Sequence, residues 1–159
     1  MPGYYKGQWK EYAIHDENNI KGFFGDYRFL SNFWPSKVWF EGLSYNYLEN
    51  AYQAAKIMPE YRFDFMDCSP TESKSLWKTL PKLDATPEQW DKRKYDVMSV
   101  LVVEKFYRNL DLRQKLLETG NRYLEERNNW KDCFFGYDIN LGGQNELGKI
   151  LMKVREFWK

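Results

Sequence analysis

The sequence predicts an α+β fold: a mainly helical single domain with a small antiparallel sheet near the N-terminus. Three observations lead there. Ser69-Pro70-Thr71-Glu72 and Thr86-Pro87-Glu88-Gln89 share one helix-start device, a hydroxyl at the N-cap, proline in the first turn and Glu or Gln at N3. Leu147, Ile150, Leu151, Val154 and Trp158 recur at the spacing of one buried helical face. Lys37-Val38-Trp39-Phe40 and Leu43-Ser44-Tyr45 flank Glu41-Gly42 as a short hairpin flanks its turn.

Taken in order, residues 1–20 are polar and aromatic without periodicity and are expected to form an arm or an edge strand. The hairpin follows, then a helix over about 47–58 that Pro59 ends. Ser69 opens the next helix, and Thr86 opens a long one reaching about residue 108. Asp111 is expected to cap a further helix that stops at Gly120, and the last helix covers about 145–157. No repeat, low-complexity tract or linker divides the chain.

With 159 residues, the chain is long enough for a full core without disulfides or metal. Its 24 basic and 23 acidic side chains leave a net charge of +1, mixed along the sequence, which argues against a dedicated nucleic-acid surface. A nucleic acid held through a modification stays compatible. Cys68 and Cys133 are far apart, no signal peptide or long apolar stretch is evident, and a cytoplasmic location with reduced thiols is expected. Each thiol is read as a small core residue. His15 is the sole histidine, so neither a zinc site nor a cofactor is expected, and activity is expected to be metal-independent. Acid–base chemistry then falls to carboxylates, lysine or tyrosine. The 19% aromatic content suits a pocket for a flat base.

Two strings place polar residues inside apolar runs: Phe29-Leu30-Ser31-Asn32-Phe33 and Glu49-Asn50-Ala51-Tyr52-Gln53-Ala54-Ala55-Lys56. On a helix, Glu49, Gln53 and Lys56 fall at i, i+4 and i+7 and share a face, while Leu48, Ala51, Tyr52 and Ala55 lie on an apolar one. A carboxylate, an amide and an amine on one ridge can surround a small polar substrate; a solvated face with one ordinary ion pair explains the same spacing. Near the C-terminus, Gly142-Gly143 precedes the last helix. Its first N–H groups lack intrahelical partners and can hold a phosphate, or the pair can be only a tight turn.

These strings, together with Trp130-Lys131-Asp132-Cys133-Phe134-Phe135-Gly136-Tyr137-Asp138 and Gly142-Gly143-Gln144-Asn145-Glu146-Leu147-Gly148, continuing to Arg155, resemble the NADAR, or YbiA-like, family. The family pattern runs F-L-S-N-F, E-x-A-Y/F-Q-A-x-K, W-x-D-x-F/Y-W-G, then G-x-N-x-L-G-x-x-L-M-x-x-R, and the blocks occur in order from about Phe24 to Trp158. Three positions depart from it. Phe135 stands where Trp is usual, keeping a stacking face but losing the indole N–H. Tyr137 stands where some members place Asp, with Asp138 one position later. Asn50 stands where many carry His.

The resemblance implies an N-glycosidase that cleaves ribosyl–nitrogen bonds, either in ADP-ribosylated guanine, possibly within nucleic acid, or in early riboflavin-pathway ribosylamino-pyrimidine phosphates. Such hydrolysis builds positive charge on the anomeric carbon and negative charge on the departing base, so it needs a carboxylate near the sugar. Glu49 is the principal candidate and Asp138 the second. Lys56 has three readings: holding Glu49 ionised, binding a phosphate, or acting as a nucleophilic amine on a ring-opened sugar. Ser31 and Asn32 are expected to hold sugar hydroxyls or neighbouring backbone. Trp90 stacks on the base or fills the core, and Phe135 and Gly136 belong to the implied site. Gly142 and Gly143 are placed at a phosphate, with Asn145 orienting that loop or capping the helix. Arg155 is expected in a structural ion pair. The competing class is a non-catalytic module that binds ADP-ribose or a nucleotide, which needs the pocket but not the carboxylate.

Overall fold

A computed structural model describes residues 8–159 and divides them into two compact units, one made of residues 32–110 and one of the stretches up to residue 31 and from residue 111 onward. The expected α+β architecture is present.

The 32–110 unit opens with a hairpin, β3 (Pro35–Phe40) against β4 (Leu43–Tyr47), paired antiparallel at Val38↔Tyr45, Trp39↔Ser44 and Phe40↔Leu43. Its turn residues, Glu41 and Gly42, both have positive φ (47° and 88°), as a two-residue turn matching the strand twist requires. Helix α1 (Leu48–Ala54) follows directly, and every one of its seven residues is buried. A 3₁₀ segment (Pro59–Phe65), α2 (Pro70–Leu76) and α3 (Pro87–Arg108) complete the unit. Both helix-start devices form as expected: Ser69 Oγ accepts from the Glu72 N–H at 3.1 Å and Thr86 Oγ1 from the Gln89 N–H at 3.3 Å. Leu101, Val102 and Phe106 of α3 join Val38, Tyr45, Leu48, Ala51 and Ile57 in the core.

In the other unit, β1 (Ile14–His15) lies at the edge of a three-stranded sheet, antiparallel to β2 (Asn19–Lys21), which pairs parallel with β5 (Tyr123–Glu125). The expected edge strand is there, but residues 1–7 lie outside the described part. The sheet is also not purely antiparallel: β6 (Arg127–Asn128) and β7 (Tyr137–Asp138) form a second parallel pair. The β2–β5 pairing joins segments about a hundred residues apart, and neither parallel pairing leaves a hairpin-turn signal. Helix α4 (Leu110–Glu118) begins one residue before Asp111, which therefore sits in its first turn and is not its cap. Gly120 follows it with φ +68°. Helix α5 (Glu146–Phe157) buries Leu147, Ile150, Leu151 and Val154, while Trp158 falls just past its end, half-buried.

No helix among the described residues is long and apolar enough to cross a membrane. Because the Ser69 hydroxyl satisfies a donor of α2 that would otherwise lack a partner, Ser69→Ala is expected to cost about 1 kcal/mol in denaturant unfolding.

Candidate active site

Helix α1 is shorter than expected, ending at Ala54 where about residue 58 was anticipated, because nothing at Ala54-Ala55 announces a stop. The ridge therefore reduces to Glu49 and Gln53. Glu49 is 8% exposed, and its Oε1 accepts from Gln53 Nε2 at 2.9 Å. The opposite amide orientation would set oxygen against oxygen, so this bond fixes both side chains. Gln53 Oε1 is buried without a hydrogen-bond partner. At the helix start, the Asn32 carbonyl accepts from the Glu49 N–H at 3.2 Å, and the Asn32 side chain reaches Met98 Sδ at 3.6 Å. The side chain of Asn32 thus meets a sulfur, and only its backbone carbonyl serves neighbouring backbone. Ser31, buried, ends the preceding 3₁₀ turn, its N–H donating to the Arg28 carbonyl. Asn50 is structural: its amide donates to the Phe65 and Cys68 carbonyls and ties α1 to that loop.

Lys56 lies two residues beyond α1, in the turn. Its Nζ sits 4.2 Å from the ring centre of Trp77, 5.2 Å from that of Tyr52 and 5.6 Å from that of Trp90. Burial lowers its pKa to about 8; the Glu49 charge pulls it back up, and Lys74, Lys94 and Lys78 push it further down. The three π-faces favour the ammonium form. Trp90 therefore does not fill the core. It forms a wall, with Trp77, of a cleft of about 250 Å³ also lined by Lys56, Lys82, Asp84 and Thr86. Trp77, Lys82 and the cage role of Tyr52 were missed from sequence, since only the early end of α1 turns Lys56 toward them.

The C-terminal motif residues belong to the other unit and are occupied differently. Asp138 is buried; Oδ2 accepts from the Lys131 N–H at 2.8 Å, and Oδ1 from those of Asn140 and Leu141 at 2.8 and 2.9 Å. These backbone donors, that of Asn140 first, lower its pKa, which makes a poor proton donor and a good loop clasp. Phe135 packs edge-to-face on Phe134, with centroids 4.8 Å apart. Asn145, in the left-handed region at φ 53°, makes no side-chain cap. Its Oδ1 accepts from the Glu126 N–H at 2.9 Å and its Nδ2 donates to the Leu124 carbonyl at 2.9 Å and to Tyr123 Oη at 3.1 Å. It pins β5 to α5, so neither expected role describes it.

The backbone donors expected to hold phosphate at the start of α5 are already engaged. The N–H groups of Gln144, Asn145, Glu146 and Leu147 already donate to the carbonyls of Cys133, Gly136, Phe134 and Phe135, at 2.8 to 3.0 Å. Gly136 and Gly143 serve this close packing. A Cβ on Gly143 would lie 2.3 Å from the Gly136 carbonyl oxygen, and one on Gly136 would lie 2.7 Å from that of Glu126. Gly142, at φ +79°, has open space instead. Arg155 is buried and donates to Thr119 Oγ1 at 2.9 Å; its partner is a hydroxyl, not the expected carboxylate. Cys68 and Cys133 are free and half-buried. Among the described residues, no group of three or more His, Cys, Asp or Glu side chains could hold a metal.

Residues 17–158 match the NADAR domain, which spans parts of both units. Over 135 residues the chain is 32% identical to N-glycosidase Npun_R5314 of Nostoc punctiforme, covering 82% of this chain and 85% of that one. It is 33% identical over 135 residues to N-glycosidase YbiA of Shigella boydii, covering 82% and 81%. A riboflavin biosynthesis protein of Vibrio vulnificus is 33% identical over 133 residues, which make up 80% of this chain but 35% of that protein. The NMR structure of the Escherichia coli protein YbiA superposes with a TM-score of 0.74 at 26% identity, covering 92% of this chain and 88% of that one. Fold and relatives define an enzyme class, the hydrolases of N-glycosyl compounds. Within that class, the chain belongs to the NADAR family.

The two glycines before α5 separate packing from conformation. Gly143→Ala is expected to destabilise the fold by about 2 kcal/mol or more, through collision with the Gly136 carbonyl. Gly142→Ala is expected to cost about 1 kcal/mol, from its positive φ alone. Thermal unfolding of the two variants checks the order.

Proposed function

We propose that the chain hydrolyses the ribosyl–nitrogen bond of a phosphorylated N-riboside, with Glu49 as the carboxylate at the sugar. The observation that carries this reading is the buried Glu49 carboxylate, held by Gln53 and within electrostatic reach of the aromatic-caged Lys56. As the C–N bond breaks, its electron pair leaves with the base, and positive charge grows on the anomeric carbon. An adjacent carboxylate offsets that charge and takes a proton from the attacking water, whose oxygen ends on the sugar, while the departing base nitrogen takes up a proton from solvent. A fixed carboxylate performs this without reorganising. Asp138, already clasped by three backbone donors, has no step in the scheme.

The substrate class is a ribosyl group bonded to nitrogen and carrying phosphate. The name of the Vibrio vulnificus relative supports a ribosylamino-pyrimidine phosphate, and the family resemblance equally supports ADP-ribosylated guanine, free or within nucleic acid. A cytoplasmic location fits either. Expected behaviour of Glu49→Gln is a loss of turnover of at least ~10²-fold with the fold retained, because the amide can still accept from Gln53 but cannot act as a base. Steady-state rates alongside a circular dichroism melt check this, and near-wild-type turnover would contradict it.

The state of Lys56 favours a second reading of its role. An amine with a pKa of about 8 is partly neutral near neutrality, as a nucleophile must be. Riboses joined through an exocyclic amine can ring-open to a C1=N iminium. Lys56 Nζ would add to C1, the base amine would leave with a proton, and water would then hydrolyse the lysine imine to sugar and free amine. In this reading the rate rises with pH through about 8, as the amine loses its proton. If Lys56 works as a cation, the rate falls through the same window. A pH profile decides the sign, and cyanoborohydride added during turnover is expected to fix the sugar on Lys56, read by mass spectrometry, only under the nucleophile reading.

A further inference from the structure

Several lysines gather around the Trp77–Trp90 cleft. Lys56 and Lys82 line the cleft, and their ammonium groups lie 4.2 and 5.2 Å from the centre of the same ring, that of Trp77. Lys74 and Lys78, spaced one helical turn apart along α2 and the 3₁₀ turn (Trp77–Thr79) that continues it, are exposed on either side of Trp77 in sequence. Both act electrostatically on Lys56.

Glu49 acts on Lys56 from its buried position, and little other negative charge is found here. Asp84 is the one carboxylate among the described lining residues, and Arg93 engages both its oxygens, Nε to Oδ1 at 2.9 Å and Nη2 to Oδ2 at 2.8 Å. Lys94, the remaining nearby lysine, pairs with Asp91 at 3.1 Å. Among the described residues, none of Lys56, Lys74, Lys78 and Lys82 forms an ion pair with a carboxylate. Like charges gathered within one Debye length repel one another unless an anion joins them. In a chain of net charge +1, this excess is local.

We propose that Lys78 and Lys82, supported by Lys74, bind the phosphate of the substrate at the mouth of this cleft, with the Trp77 indole as its apolar wall. This rests on the proposed N-riboside reading and supplies a phosphate position in place of the occupied backbone before α5. Lys78 and Lys82 are exposed, and each contributes a point charge; Lys82 Nζ spends one of its three donors on the Leu80 carbonyl and keeps two for phosphate oxygens. The cleft's size suits one ring system or sugar phosphate and not an extended strand, so a nucleic acid would engage through its modification.

The test reads product binding, which needs no turnover. Ribose 5-phosphate, ADP-ribose and unphosphorylated ribose are titrated by calorimetry into wild type, Lys78→Ala/Lys82→Ala and a charge-matched control, Lys37→Ala/Lys149→Ala. Wild type and control are expected to prefer a phosphate-bearing ligand over ribose. The cleft double variant is expected to lose that preference, roughly tenfold for each lysine, while binding ribose as before. The phosphate ligand that shows the larger loss identifies the source, a sugar monophosphate or a diphosphate. Retention of full preference by the folded double variant, or equal loss in the control, overturns the site, as does wild type failing to distinguish phosphorylated ligands from ribose. Failure of hydrolysis with intact phosphate binding would instead refute the proposed reaction and leave the site standing.

Discussion

The 2.9 Å bond from Gln53 to Glu49 is the interaction on which the active-site reading depends. Burying a carboxylate costs on the order of several kcal/mol unless it finds donors, and an amide four residues on shares its helix face and supplies one. Helix α1 has seven residues, well below the roughly 12–15 at which isolated helices become marginal in water, so its geometry is set by what surrounds it. The hairpin, α2 and α3 pack around it, and the Asn32 carbonyl receives a donor at its first turn. Core packing in this unit therefore also aims the carboxylate.

The other unit solves a different problem. Its motif loop has little regular structure, so buried backbone groups must find partners individually. Four N–H groups at the start of α5, two just before it and two in its first turn, take the carbonyls of residues 133–136, Asp138 closes the loop with three further bonds, and Asn145 ties in β5. Gly136 and Gly143 let the strands of this knot approach closely enough. What looks in the sequence like an anion cradle is a self-satisfied clasp. Gly136, Asp138, Gly143 and Asn145 each have a folding task in this loop.

Legibility followed locality. The Ser69 and Thr86 caps, the Glu41-Gly42 turn and the buried face of α5 each declare themselves within a few residues, and the structure reproduces them. Glu49 and Gln53 were legible as one ridge because four residues suffice to place them together. Lys56 was not, since the end of α1 depends on packing around Ala54-Ala55 and no stop residue marks it. The Trp77 cage and the Lys82 edge of the cleft join segments some twenty residues apart, and the parallel pairing of β2 with β5 joins segments a hundred apart. The fate of the N–H groups before α5 depends on which carbonyls fold back upon them, and glycine spacing is silent about that.

In the proposed reaction Glu49 faces the anomeric carbon of a bound N-riboside. A crystal structure of Glu49→Gln soaked with intact ribosylamino-pyrimidine phosphate or with an ADP-ribosyl-guanine nucleoside would test it most directly. The anomeric carbon is expected within about 3.5 Å of the substituted amide side chain at that position, or one water beyond it. A sugar bound with that carbon turned away from α1, and another carboxylate at the reacting bond, would contradict it.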